Sequence, residues 1–197
     1  MRFTVTRRLG TRRTLFVLAA LLLAATSARA DFIHYTATLS GAAESPPNAS
    51  PGTGWAQVDI DPVAHLMHVR AEFSGLVGTV TASHIHAATT TAFTGTAGVA
   101  TTTPTFTGFP GGVTAGTYDH TFDMTQAASW NPSYVTAHGG TTAQAELDFF
   151  AAIAAGKAYF NVHTSVFGGG EIRGFLVPGL PSPTQSTTWG RVKALFP

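Results

Sequence analysis

The chain has 197 residues, with 11 Lys+Arg against 10 Asp+Glu, 8 His and 0 Cys. Without cysteine it forms no disulfide and offers neither a thiolate metal site nor a thiol nucleophile. Arg2, Arg7, Arg8, Arg12, Arg13 and Arg29 lie within residues 1–30 and every acidic residue lies beyond them, so the remainder is acidic and lacks the clustered Lys and Arg on which nucleic-acid binding runs.

Residues 1–30 read as an export signal. An arginine-rich start leads into the apolar run Thr14 to Ala25, and Ala28-Arg29-Ala30 supplies a small-residue cleavage pattern. Asp31 is then expected to open a secreted or periplasmic chain, and the apolar run is too short to span a bilayer. Residues 31–177 suit one domain with its own core. Phe32 to Leu39, rich in aromatic and β-branched residues, reads as the first strand and stops before the turn-prone Glu44-Ser45-Pro46-Pro47-Asn48. Gly54 to Ile60 and Leu66 to Phe73 follow as a hairpin through Asp61-Pro62-Val63-Ala64. Val80 to His86 is the next strand. Thr89 to Gly112, rich in Thr, Gly and Pro, reads as solvated loop with one or two short edge strands. Tyr118 to Met124 alternates again.

The helical signal is confined to one region. Asn131 is an N-cap with Pro132 at the first helical position, and Gly139-Gly140 stops that helix within a turn or two. Thr141 with Gln144 forms a second cap pattern, after which Ala143, Leu147, Phe150 and Ile153 or Ala154 recur at helical spacing before Gly156. Lys157 to Thr164 and Glu171 to Val177 make the last hairpin. These elements predict an all-β fold, an antiparallel Greek-key β-sandwich with one short helical insertion before the last hairpin. Residues 178–197 read as a linker and tail, too short and polar for a membrane anchor.

Strand parity gathers the chemistry. Side chains two apart share a face, so His84 and His86 project together, as do Asn161 and His163 with Tyr159, and Glu171 with Arg173. If Ile85, Val162 and Ile172 face the core, the opposite face collects His84, His86, Asn161, His163, Glu171 and Arg173. His120 shares parity with Tyr118, Phe122 and Met124, as either a core histidine or a fourth ligand. His138 is placed at a helix end, near the last carbonyls. His34, His65 and His68 read as surface positions, and Trp55 and Trp130 as packing residues.

Four stretches, in order, resemble the chordin-type (CHRD) domain family: Leu39-Ser40-Gly41-Ala42-Ala43-Glu44-Ser45-Pro46-Pro47, Ala82-Ser83-His84-Ile85-His86, Tyr159-Phe160-Asn161-Val162-His163-Thr164 and Gly169-Gly170-Glu171-Ile172-Arg173-Gly174. The likeness runs from Phe32 to Val177, and the Trp130-Asn131-Pro132 insertion is similar to bacterial secreted members. What the resemblance implies is an exported all-β domain; in chordin itself such domains belong to an extracellular antagonist of growth factors. A more distant likeness, to copper/zinc superoxide dismutase, lies in the order of His84, His86, His163 and Arg173. The chain departs from that pattern in lacking its cysteines and its zinc loop.

Two readings of the polar face stay open. In one, His84, His86 and His163 ligate copper or zinc, because neutral imidazole suits both ions, with superoxide-dismutase-like redox chemistry as its extension. In the other the domain is a non-catalytic binding or structural module for an extracellular or envelope protein. There Glu171 pairs with Arg173, Asn161 bridges, and the histidines are structural. Hydrolase chemistry has no support, since no nucleophile elbow is present and no serine is locally paired with a histidine and an acid. Asp59 and Asp61 share a strand face beside a turn, where calcium or a solvated turn explains them better than a glycosidase pair.

Overall fold

The computed structural model describes Met1 and residues 32–179. The export signal read at residues 1–30 and the tail beyond Gly179 lie outside the described residues. The described strands are β1 (Ile33–Ser40), β2 (Thr53–Asp61), β3 (Leu66–Ser74), β4 (Val80–His86), β5 (Gly116–Asp123), β6 (Tyr159–Thr164), β7 (Ile172–Phe175) and β8 (Val177–Pro178). The two helices, α1 (Pro132–Ala137) and α2 (Thr142–Ala154), sit between β5 and β6. All pairings are antiparallel, in the order β4-β6-β7-β1-β2-β3-β5, with the short β8 also pairing β1. The strand boundaries fall within a few residues of those expected from alternation, and the fold is predominantly antiparallel β.

Period-two patterning decides which side of the sheet is dry. Leu39, Ala56, Val58, Met67 and Val69 are fully buried, as are Ile85, Val162 and Ile172, so the assumed core side of β4, β6 and β7 is correct. The sheet curls far enough for its two ends to share one core. Phe106, from the segment between β4 and β5, lies 5.9 Å from Tyr118 and 5.1 Å from Phe122 on β5, and 5.9 Å from Phe160 on β6, centroid to centroid.

That connecting segment differs from the solvated loop expected. It runs along the free edge of β4 and satisfies its backbone. The Thr101 hydroxyl accepts from Ile85 N and the Thr105 hydroxyl from Ser83 N, while Ala100 N and Phe106 N donate to Ile85 O and Ser83 O. Only isolated bridges form, His86 with Val99 and Thr101 with Trp130. At Thr101 and Thr105 the hydroxyl substitutes for a missing ladder partner on the strand edge, and Thr101 is buried.

Both helix starts follow the cap chemistry. The Asn131 side chain accepts from Ser133 N, and Thr141 Oγ1 accepts from Gln144 N. Gly156, at φ +68, closes α2. The buried face of α2 matches the expected one only in part, through Ile153 and the half-buried Phe150. Ala145, Phe149, Ala152 and Ile153 are buried, whereas Leu147 is 65% exposed. Both stripes have helical period in an alanine-rich segment, and the aromatic pair Trp130 and Tyr134 selects between them by taking Phe149 edge-on, at 5.6 and 6.3 Å. His138 caps α1 as expected, with Nδ1–H donating to Tyr134 O.

Two further assignments change, Trp55 as a packing residue and His34 as a surface one. Trp55 points outward, 43% exposed, and donates to Glu72. His34 is sheltered and pairs at 2.7 Å with Asp59, which also accepts from Gln57 and Arg70. Asp61 instead caps the hairpin turn, accepting from Val63 N and Ala64 N. The two aspartates share parity but serve separate, satisfied networks.

Candidate functional site

Adjacent strands β4 and β6 bring the three histidines together. The register pairs Ala82 with His163, His84 with Asn161 and His86 with Tyr159, which sets His163 diagonal to His84. The His84 ring lies 4.7 Å from that of His86 and 4.6 Å from that of His163, centroid to centroid. One ring nitrogen from each lies within 4.8 Å of the others. His120 is not part of this group; it sits on β5, stacked on Tyr118 and edge-on to Phe122.

The polar face that parity identified is not a surface. His84, His86 and His163 are 6–9% exposed, and Asn161, Glu171 and Arg173 less still. Three distant segments cover it. Ala43 O and Gly95 O accept from Arg173. Ala97 O lies over His86, and the turn before Glu171 lies over His163.

Those covering carbonyls set the tautomers. A carbonyl only accepts, so His86 Nδ1 carries a proton that it donates to Ala97 O at 2.8 Å, and His163 Nδ1 donates to Gly168 O at 3.0 Å. Each ring then presents a bare Nε2, and these two atoms face one another at 3.5 Å. That is a span two nitrogens would show when each lies about 2.0–2.1 Å from one metal ion. His84 has neither ring nitrogen in a well-formed hydrogen bond, the Pro104 carbonyl being the backbone acceptor beside its ring.

Burial favours the neutral form of all three rings. Burial, reinforced by His86 and His163, lowers His84 to about 3. Burial lowers His86 to about 4, with His163 and Arg173 adding to the effect, and burial lowers His163 as well. Three neutral imidazoles with unused lone pairs, two of them oriented by a carbonyl on the far nitrogen, make a donor set for copper or zinc.

The rest of the expected network is rearranged. Glu171 does not pair with Arg173. Its carboxylate accepts from the Ser50 and Thr164 hydroxyls and from Val77 N and Gly78 N. Burial pushes this carboxyl up, but those four donors together hold it below the usual range. Gly170, at φ +129, turns the chain just before Glu171. Arg173 instead lies 3.8 Å from Glu44 and packs its guanidinium over Tyr159, 4.7 Å from the ring centroid. Tyr159 in turn stacks on His86 at 4.7 Å and 6°. Glu44 was legible only as part of a turn; Tyr159 shared the parity of Asn161 and His163, and that was the available signal.

No helix among the described residues is long and apolar enough to cross a membrane. No curated protein and no solved structure matches the chain. The family model described as CHRD domain matches residues 35–176, from within β1 to the residue after β7, and takes in His84, His86 and His163 with the segments that cover them. The chain belongs to the CHRD-domain family.

Proposed function

We propose that this is an exported, non-catalytic binding domain whose bound species is a transition-metal ion, copper or zinc, ligated by His84, His86 and His163. The observation that carries the reading is the pair of bare Nε2 atoms facing at 3.5 Å between rings whose other nitrogens are committed to carbonyls. Two lone pairs aimed at each other in a buried site are unfavourable until an electron-pair acceptor sits between them. Family membership supports a binding or structural role rather than catalysis, and export rests on the sequence of residues 1–30. We read the single curled sheet as a Greek-key sandwich. Dismutase-like redox turnover would be an extension of copper binding and has only the ordering of His84, His86, His163 and Arg173 behind it.

Titration of chelator-treated protein with copper(II) and zinc(II), followed by calorimetry, tests the assignment. One ion should bind per chain, and the His84→Ala/His86→Ala double variant should lose that binding. Equal binding by parent and double variant would refute the three-histidine site. In that case the imidazoles are structural and the ion binds elsewhere in the chain, whereas no binding by the parent would leave the domain as a module for an extracellular or envelope protein.

A further inference from the structure

The three histidines are nearly inaccessible, so an ion that reaches them must pass other side chains. Among the described residues, the buried side-chain atoms without a hydrogen-bond partner include His84 Nδ1, His84 Nε2, Asn161 Oδ1 and Glu44 Oε1. These are not scattered. Asn161 is the direct cross-strand neighbour of His84. The Asn161 amide and Glu44 Oε1 converge on Gly170, where a Cβ would meet Asn161 Nδ2 at 2.6 Å and Asn161 Oδ1 and Glu44 Oε1 at 2.7 Å each. Glu44 and Gly170 also line a surface cavity of about 210 Å³, walled by Ser45, Pro46, Pro47, Asn48, Phe167 and Gly169. Unused electron-pair donors therefore run from that cavity to the histidines, in the order Glu44, Asn161, His84.

We propose that Glu44 Oε1 and Asn161 Oδ1 form a loading site for the cation, a pair of oxygen donors that takes the ion from the cavity and passes it to His84. The inference rests on the three-histidine reading of the site. Glu44 is 7% exposed and Asn161 2% exposed, and buried oxygens left without donors demand a positive or proton-donating partner. Water meets that demand between ions, and a divalent cation displaces it, because carboxylate and amide oxygens are good but weakly selective ligands. Arg173 does not block the route. Its Nε and Nη1 are held by Ala43 O and Gly95 O, and its contact with Glu44 is to the other oxygen, Oε2. Gly170 keeps the passage open simply by having no side chain.

A loading site that is not part of the final coordination set must speed arrival and departure equally, leaving equilibrium affinity unchanged. Stopped-flow transfer of copper(II) and of zinc(II) from a chromophoric chelator to the full chain reads both rates. At pH 8, where the Glu44 carboxyl is ionised, the isosteric Glu44→Gln variant should slow uptake and release together by about tenfold, the low end of what a focused charge contributes to association, with the dissociation constant within twofold of the parent. Asn161→Leu should show the same pattern, and provides an independent check if one variant folds poorly. Unchanged rates in both variants would overturn the loading site while leaving the histidine site standing. So would weaker affinity with unchanged uptake, since that marks a ligand or a packing role. Absence of binding by the parent itself would remove the histidine site and this inference together.

Discussion

At the scale of single residues, the chemistry of the site is governed by burial. An imidazole in water is a switch near neutrality; three of them enclosed side by side are held neutral, because protonating any one would place a charge in a poorly solvated site beside two other rings. This has a consequence for the pH dependence of the metal-free protein. His84 and His86 fall from 6.5 to about 3 and about 4 on folding. Between those values and 6.5 the unfolded chain binds more protons than the folded one, so stability rises with pH through that window and is lost as pH falls. Glu44 works in the opposite direction. Burial raises it from 4.5 to about 7 even though Arg173 and the Ser45 amide pull it down, so its contribution is present below 4.5 and lost as pH rises toward 7. Denaturant unfolding at a series of pH values should show net stability rising from pH 4 to pH 6.5. The Glu44→Gln variant should rise more steeply than the parent between pH 4.5 and 7. A variant profile parallel to the parent's would mean that Glu44 does not retain its proton in the folded state.

At the scale of elements, caps and alternation are local and were legible, whereas the choice of a helix face was not. Asn131, Thr141 and Gly156 mark the helix ends through bonds made within a few residues. The stripe that α2 buries depends instead on where Trp130 and Tyr134 stand. Phe149→Ala should cost about 3–5 kcal/mol by leaving a cavity against those two rings. Leu147→Ala should stay within about 0.5 kcal/mol, as exposed substitutions do. Thermal or urea unfolding of the two variants distinguishes the observed face from the one containing Ala143, Leu147 and Phe150, because the two faces rank these substitutions in opposite order. The threonine-rich segment after β4 carries the same lesson. Its composition resembles that of a solvated loop, yet Thr101 and Thr105 are spent on the edge of β4, a role set by a strand lying some twenty positions earlier.

At the scale of the molecule, a domain without disulfides is tied together by one buried carboxylate. Glu171 joins the Ser50 loop, the turn after β3 and the end of β6, accepting from four donors in three separate segments. Hydrogen bonds to an ionised group contribute more than neutral ones, and removing the acceptor strands the buried amide of Gly78 and the half-buried amide bond of Val77. Glu171→Ala should therefore lower unfolding free energy by about 3 kcal/mol or more, measured by urea denaturation above pH 6. It should also speed exchange of the Val77 and Gly78 amides. A loss comparable to that of a surface substitution would show that the clasp is not needed to hold these segments.

The amino-acid sequence by itself determined the main strands, the helix caps, the inward side of β4, β6 and β7 and the grouping of His84, His86 and His163, because these follow from repeats of two and 3.6 residues and from bonds within one turn of chain. Tertiary structure alone decided that the polar face is enclosed, that Arg173 meets Glu44 rather than Glu171, and that α2 turns Phe149 inward. Each of these depends on which distant segment lies across the face in question, and strand parity carries no information about what covers a strand.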